Sequence, residues 1–137
     1  DGSGVSRDDR LTTSFLTSAL QLALNTDKYP QFSGFLSSLP VGGRTGTLSA
    51  SAARYTTWPS RCAAGQVFAK TGSLYDTIGL SGYVRGADGV LKAFSALVND
   101  RPQRYSQLAT RQAVDGLIAT VNGCWGPTKK TGTPPAS

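Results

Sequence analysis

A short run of residues, Lys70-Thr71-Gly72-Ser73, provides the side chains with which this chain could take part in acyl transfer. The chain contains no histidine, so a Ser-His-Asp or Cys-His arrangement cannot be built from it, and a lysine must supply the charge. A lysine ammonium near a serine nucleophile favours negative charge there and assists proton transfer. Glycine leaves the strand edge open to substrate, and the N–H of Ser73 can stabilise an oxyanion.

The run continues a predicted strand, Gln66 to Thr71. Thr71 and Ser73 are two residues apart, so on a strand they point to the same face, where their hydroxyls can hold a carboxylate. Without its neighbours, the run is also typical of a strand that ends in a polar turn. The same letters recur at Lys130-Thr131-Gly132-Thr133, in a proline-rich tail with no predicted framework, so we do not expect that copy to function.

The elements that must position the run are two long helices and a meander of three strands. Apolar residues at helical spacing predict helices from Leu11 to Asn25 and from Tyr105 to Val121. The strands are expected over Gln66 to Thr71, Thr77 to Arg85 and Val90 to Val98. The third strand is apolar on both faces, which predicts an interior strand covered by helices on both sides.

The segment between the first helix and the first strand is less regular. Residues 29–47 are rich in glycine and proline, which predicts a surface loop with a helical turn from Gln31 to Ser38. A short helix is expected from Leu48 to Tyr55. We expect residues 1–124 to form one folded unit and residues 125–137 to form a flexible tail, because the tail has nothing to bury.

Length and charge limit the possible functions. With 137 residues and 39% hydrophobic content, the chain can form one globular domain with a modest core. Its net charge of +6 would attract anionic partners such as nucleic acid, acidic lipid or cell-wall polymer. Nucleic acid is not expected because the arginines are scattered. No apolar run approaches the roughly 20 residues that cross a bilayer, so no transmembrane segment is expected in this chain.

The two cysteines, Cys62 and Cys124, lie far apart and form no CxxC pair. Without histidine a zinc site is not expected, and no other metal site is expected either. We expect a disulfide that links the last helix to the segment before the Lys-Thr-Gly strand, which would imply an oxidising, extracytoplasmic location. Two buried thiols are the alternative.

Several further segments accompany the Lys-Thr-Gly run. The opening reads Asp1-Gly2-Ser3-Gly4-Val5-Ser6-Arg7, and a later loop reads Gly43-Arg44-Thr45-Gly46-Thr47-Leu48. The run itself extends over Ala69 to Leu74, and Leu80 to Val84 and Phe94 to Asn99 follow it. In order and approximate spacing these segments resemble the serine D-alanyl-D-alanine carboxypeptidases of the dacB or penicillin-binding-protein-4 type (peptidase family S13). Lys-Thr-Gly is a signature of penicillin-binding proteins and serine β-lactamases generally.

The resemblance implies an α+β fold of the penicillin-binding-protein and β-lactamase type, an antiparallel sheet flanked by helices, of which this chain is the carboxy-terminal half. It implies that Lys70 is the catalytic ammonium and that the Ser73 N–H is an oxyanion donor. Thr71 and Ser73 would bind the terminal carboxylate of D-Ala-D-Ala, with Gly72 and Leu74 on the same substrate-binding strand. Arg7 is a candidate for contacting the peptide stem. The expected ligands are peptidoglycan peptides and β-lactams, and no cofactor is implied.

Two of the three motifs of that family are missing from the chain. No lysine has a serine three residues before it and no asparagine has a serine two residues before it, so neither Ser-x-x-Lys nor Ser-x-Asn is present. We expect both upstream of Asp1, in an amino-terminal segment or chain of the same precursor, and expect this chain alone to be inactive. The alternatives are a non-catalytic relative that only binds wall peptides and an unrelated anion-binding module.

Overall fold

The computed structural model describes residues 4–125. Its three strands form an antiparallel sheet in the order β1-β2-β3. The strands are β1 (Val67–Ser73), β2 (Ile78–Arg85) and β3 (Leu91–Val98). Tight turns join them: the Leu74 N–H donates to the Thr77 carbonyl at 2.9 Å, and the Gly86 N–H donates to the Val90 carbonyl at 2.7 Å. The predicted meander is confirmed.

Helices lie on both sides of this sheet. α1 (Thr13–Ala23) packs against β3 and β2 on one face, where the Tyr83 hydroxyl donates to the Leu20 carbonyl at 2.6 Å. α3 (Gln107–Asn122) packs against β2 on the other face. Each face of the sheet therefore carries one helix. Within residues 4–125, however, β3 is an outer strand, so its prediction as an interior strand is wrong for this part of the chain.

The two long helices begin and end at residues whose chemistry suits those positions. The Thr12 hydroxyl accepts the Phe15 N–H at the start of α1, and the Ser106 hydroxyl accepts the Ala109 N–H at the start of α3. Gly123 ends α3 in the left-handed region at a φ of 91°. None of the helices in residues 4–125 has the length and apolar character of a bilayer-spanning segment.

The hydrophobic core lies between the sheet and α3. Side chains from one face of the three strands, from the side of α3 that faces the sheet and from the segment before β1 form this core. Its buried members are Leu48, Tyr55, Ala63, Val67, Ala69, Leu80, Val84, Phe94, Val114, Ile118 and Ala119. Because this core fixes α3 against the sheet, it also fixes the distance from α3 to the exposed end of β1.

The predicted helix from Leu48 to Tyr55 is wrong. The chain forms two 3-10 turns there, Gly46–Leu48 and Ala50–Ala52, and then Ala53 and Tyr55 take left-handed conformations with φ of 55° and 54°. These conformations turn Arg54 and Tyr55 into the interior, and packing outweighs the local preference for helix. The helical turn predicted at 31–38 is present as a 3-10 turn, Pro30–Phe32, and α2 (Phe35–Ser38).

Candidate active site

The outer edge of β1 is covered along only its first half. The Gly42 N–H donates to the Val67 carbonyl at 2.8 Å, and the Ala69 N–H donates to the Pro40 carbonyl at 3.0 Å. Backbone groups on a strand alternate in direction, so the N–H and C=O of Thr71 and Ser73 point to the same outer edge. Beyond Ala69, no other strand of the described chain pairs with that edge.

Lys70 lies on the opposite face of the sheet from the two hydroxyl residues. It pairs with Ser81 on β2, and both residues line an apolar groove of about 620 Å³ beside α1. The Lys70 side chain is exposed, and its Nζ donates to the Thr71 carbonyl at 2.8 Å. The ammonium therefore lies at the open edge of the strand, next to a groove.

Thr71 and Ser73 share the other face, as their spacing predicts, and each hydroxyl already has a polar neighbour. Thr71 Oγ1 donates to Thr47 Oγ1 at 3.0 Å, and Arg111 Nη2 donates to Ser73 Oγ at 3.1 Å. Three hydroxyls and one guanidinium thus form a polar row along the end of β1. A row of hydrogen-bond donors of this kind can bind a carboxylate.

Two members of this row, Thr47 and Arg111, were not predicted as site residues. Thr47 belongs to the Gly43 to Leu48 segment, which accompanies the Lys-Thr-Gly run in the sequence. That segment is the sequence signal that could have identified Thr47 as a neighbour of Thr71. Arg111 lies on α3, 38 positions after Ser73. Only the packing of α3 on the sheet brings it there, so no local pattern in the sequence identifies it.

Gly72 leaves open space on the Lys70 face of β1. A Cβ added at this position would meet no atom within 4 Å. The glycine is therefore not required by packing inside the described chain. Its lack of a side chain keeps the strand edge clear on the face where Lys70 lies.

Arg7 lies in a separate groove of about 580 Å³, lined also by Leu74 and Asp76. Arg7 Nη1 is 3.2 Å from Asp76 Oδ2, and this hydrogen bond is the main cause that lowers the pKa of the Asp76 carboxyl. Leu74 connects this groove to the end of β1. The structure therefore places Arg7 near Leu74 but does not bring it into contact with the hydroxyls of Thr71 and Ser73.

A buried ion pair lies behind the polar row. Arg54 donates from Nε and Nη2 to the two carboxylate oxygens of Asp115 at 2.7 Å and 2.6 Å, and both side chains are almost fully buried. Burial raises the pKa of Asp115, and the hydrogen bond from Arg54 opposes that rise. Burial also raises the pKa of the neighbouring Tyr55 hydroxyl, with the Asp115 charge as the next cause. These groups are enclosed, so they hold α3 in place rather than meet a ligand.

Cys62 and Cys124 form a disulfide with Cα atoms 6.0 Å apart. The bond ties the end of α3 to the segment before β1. Within residues 4–125, no group of three or more potential metal ligands is present. Asp1 to Ser3, the second Lys-Thr-Gly copy at Lys130 and the rest of the predicted tail from Gly126 lie outside the described residues.

Comparison with known proteins assigns the chain to a family. The family model described as D-Ala-D-Ala carboxypeptidase 3 (S13) matches residues 1–121, and the chain belongs to that family. Carboxypeptidase DacB of Mycolicibacterium smegmatis (strain ATCC 700084 / mc(2)155) is 35% identical over 125 residues, which are 90% of this chain. This chain spans only 25% of that relative.

The fold has solved counterparts. A crystal structure of penicillin binding protein 4 (dacB) from Haemophilus influenzae, complexed with a novel β-lactam, has a TM-score of 0.70 at 23% identity, covering 88% of this chain and 27% of that one. A second structure of that protein has a TM-score of 0.63 at 24% identity, covering 90% and 25%. The predicted fold, an antiparallel sheet with flanking helices, is confirmed.

Proposed function

We propose that this chain supplies one wall of the active site of a serine D-Ala-D-Ala carboxypeptidase or endopeptidase that acts on peptidoglycan stem peptides. The observation that carries the proposal is the uncovered half of β1, where a cation, two hydroxyls and outward N–H groups meet at one edge. Membership of the S13 family supports the reaction type. The nucleophilic serine and the Ser-x-Asn motif would come from a part of the longer protein outside residues 1–137, because neither motif occurs in this chain.

The substrate peptide would lie along β1 as an added strand. Its backbone would pair with the outward N–H and C=O groups of Thr71 and Ser73, as extended peptides do on exposed sheet edges. The hydroxyls of the same two residues would bind the terminal carboxylate. The carbonyl of the penultimate D-alanine would then accept the Ser73 N–H, which becomes an oxyanion donor as the carbonyl carbon becomes tetrahedral.

The reaction is an acyl transfer in two steps. The serine oxygen attacks the penultimate carbonyl carbon, the peptide C–N bond breaks, and terminal D-alanine leaves with the proton that the serine gives up. Water then hydrolyses the ester and restores the serine hydroxyl. Lys70 lies at the edge where the serine must arrive, and its positive charge would stabilise the negative charge that develops on the attacking oxygen.

The groove beside Lys70 would receive the rest of the longer protein. It is lined mainly by apolar side chains of α1 and of the segment after it, and Phe15 on α1 is 59% exposed. Exposed apolar surface of this kind marks a contact surface. Covering this groove would also bring the partner segment next to Lys70, as delivery of a serine requires.

A β-lactam would react with the same serine. The serine oxygen would attack the β-lactam carbonyl, the amide C–N bond of the ring would break, and the same type of ester would form. Location outside the cytoplasm is supported by the disulfide between Cys62 and Cys124, since such bonds persist in oxidising compartments. The net charge of +6 is compatible with residence near anionic wall polymers.

The test is labelling of the full-length protein with a fluorescent penicillin, compared with the Lys70→Ala variant. Loss of the ammonium should slow acylation by about 10²-fold or more, the usual effect of removing a group that assists proton transfer. Lys92→Ala is the matched control, because Lys92 is bonded to Asp88 in the β2–β3 hairpin, away from the open edge.

Equal labelling of the wild type and Lys70→Ala would remove Lys70 from the mechanism. A wild-type protein that takes no label but binds wall peptides would favour the non-catalytic alternative. Reading the sequence upstream of Asp1 for Ser-x-x-Lys followed by Ser-x-Asn separates the same two possibilities.

A further inference from the structure

Arg111 is the cation on the hydroxyl side of β1. It lies in the second turn of α3 and is half-buried. Its Nη2 donates to Ser73 Oγ and to Gln107 Oε1, each at 3.1 Å. The Lys70 side chain leaves the opposite face of the sheet and its Nζ donates to the Thr71 carbonyl, whereas the Ser73 hydroxyl accepts from Arg111.

The charge of Arg111 is not balanced by the groups that it contacts. Both oxygens that accept its hydrogen bonds are neutral, whereas Arg7 and Arg54 each pair with a carboxylate. Among residues 4–125 no carboxylate forms a salt bridge with Arg111. A guanidinium with neutral partners retains its capacity to bind an anion, and its planar set of donors suits a carboxylate.

The position of Arg111 is fixed from two directions. Gln107, one turn earlier, donates from Nε2 to the Leu74 carbonyl at 3.3 Å, which ties the start of α3 to the end of β1. Asp115, one turn later, is held by Arg54 in the interior. The guanidinium is therefore presented to the strand by a helix that is anchored on both sides of it, so its position does not depend on a flexible loop.

We propose that Arg111 is the residue that makes the site specific for peptides with a free terminal carboxylate. This inference rests on the proposed function and adds a residue to it. The hydroxyls of Thr71 and Ser73 can hydrogen-bond a carboxylate but carry no charge, and an amide could satisfy them nearly as well. The guanidinium beside Ser73 distinguishes the two, because only the carboxylate gains a charge-assisted bond.

The experiment compares two substrates in the full-length protein: an acyl-D-Ala-D-Ala peptide with a free carboxylate and the same peptide as its carboxamide. Arg111→Gln should lower kcat/KM for the free acid by about tenfold to a hundredfold, the usual effect of losing a hydrogen bond to a charged group. The value for the carboxamide should stay nearly unchanged. Arg111→Lys should recover part of the loss because it keeps the charge.

Arg104→Gln is the matched control. It makes the same change just before α3, at an exposed arginine that lies over the Tyr105 ring. The kcat/KM values for both substrates should stay unchanged in this variant. Equal losses for the acid and the carboxamide, or no loss for either, would overturn the role of Arg111 while leaving the peptidase in place. A wild-type protein that cleaves neither substrate would overturn the proposed function, and the inference with it.

Discussion

At the scale of single residues, alternation along β1 sets the face on which each side chain of the Lys-Thr-Gly-Ser run lies. Lys70 faces the apolar groove, while Thr71 and Ser73 lie on the other face, in the polar row. The backbone N–H and C=O groups of Thr71 and Ser73 point to the outer edge of β1. A slip of one residue would exchange the faces and turn the ammonium towards the core. The run therefore depends on the register of β1 with β2, which pairs Lys70 with Ser81 and Thr71 with Leu80.

The hydroxyl of Thr71 can be tested by replacement with valine, which has a similar shape. Thr71→Val removes the bond to Thr47 and one donor to the substrate carboxylate. We expect kcat/KM for the free-acid peptide to fall by about tenfold, with little change in acylation by reagents that lack a carboxylate. Steady-state kinetics of the full-length enzyme measures both.

Thr120→Val is a suitable control for this substitution. The Thr120 hydroxyl donates to the Gly116 carbonyl, one turn earlier on α3, and the residue is exposed. If both variants retain full activity on the free acid, Thr71 does not bind the carboxylate.

At the scale of elements, two segments that are remote in sequence border the outer edge of β1. The segment around Pro40 and Gly42 covers the first half of β1, and α3 supplies Arg111 to the second half. Alternation and turn chemistry were enough to predict the three strands and the two long helices. They were not enough to predict where β1 becomes uncovered, because that depends on how far the loop follows the strand.

Dependence on the folded chain also explains why the helix predicted at 48–55 is wrong and why the sequence did not predict the ion pair between Arg54 and Asp115. In the sequence, Arg54 is one of several scattered arginines. Its burial against Asp115, 61 positions away, became evident only in the folded chain. The faces on which Lys70, Thr71 and Ser73 lie could be predicted from their spacing, while their roles as site residues stay predictions that rest on the family resemblance. No local pattern of this kind points to Arg111.

The ion pair makes α3 sensitive to one substitution. Asp115→Asn leaves the Arg54 guanidinium buried without its carboxylate, and we expect the free energy of unfolding to fall by about 3–5 kcal/mol. Denaturant unfolding of the full-length protein measures the change. Because α3 carries Arg111, discrimination between acid and carboxamide should also weaken.

Asp88→Asn provides the comparison. Asp88 pairs with Lys92 on the exposed hairpin, and stability should change little there. A similar effect of the two substitutions would contradict the anchoring role given to the buried pair.

At the scale of the whole molecule, one side of the chain is closed and the other is open. The core, α3 and the disulfide close the side that carries the polar row. On the other side, α1 leaves apolar residues exposed around the groove next to Lys70. Since the chain spans 25% of its DacB relative, this asymmetry is consistent with a larger protein that completes the site from the α1 side.

The disulfide should contribute to the stability of the closed side. Its cysteines are 62 residues apart, and replacing both with serine should lower the free energy of unfolding by about 2–4 kcal/mol. Thermal unfolding of the Cys62→Ser, Cys124→Ser variant against the wild type gives the value. A reducing agent should lower the Tm of the wild type but not that of the variant, and equal responses would contradict a structural role for this bond.

The most direct test of the central claim is a crystal structure of the full-length protein after acylation by a penicillin. The account predicts that the acyl carbonyl oxygen accepts the Ser73 N–H and that Lys70 lies beside the acylated serine. The carboxylate should lie between the hydroxyls of Thr71 and Ser73, within reach of Arg111. An acyl group bound away from the open half of β1, with these four residues untouched, would contradict it.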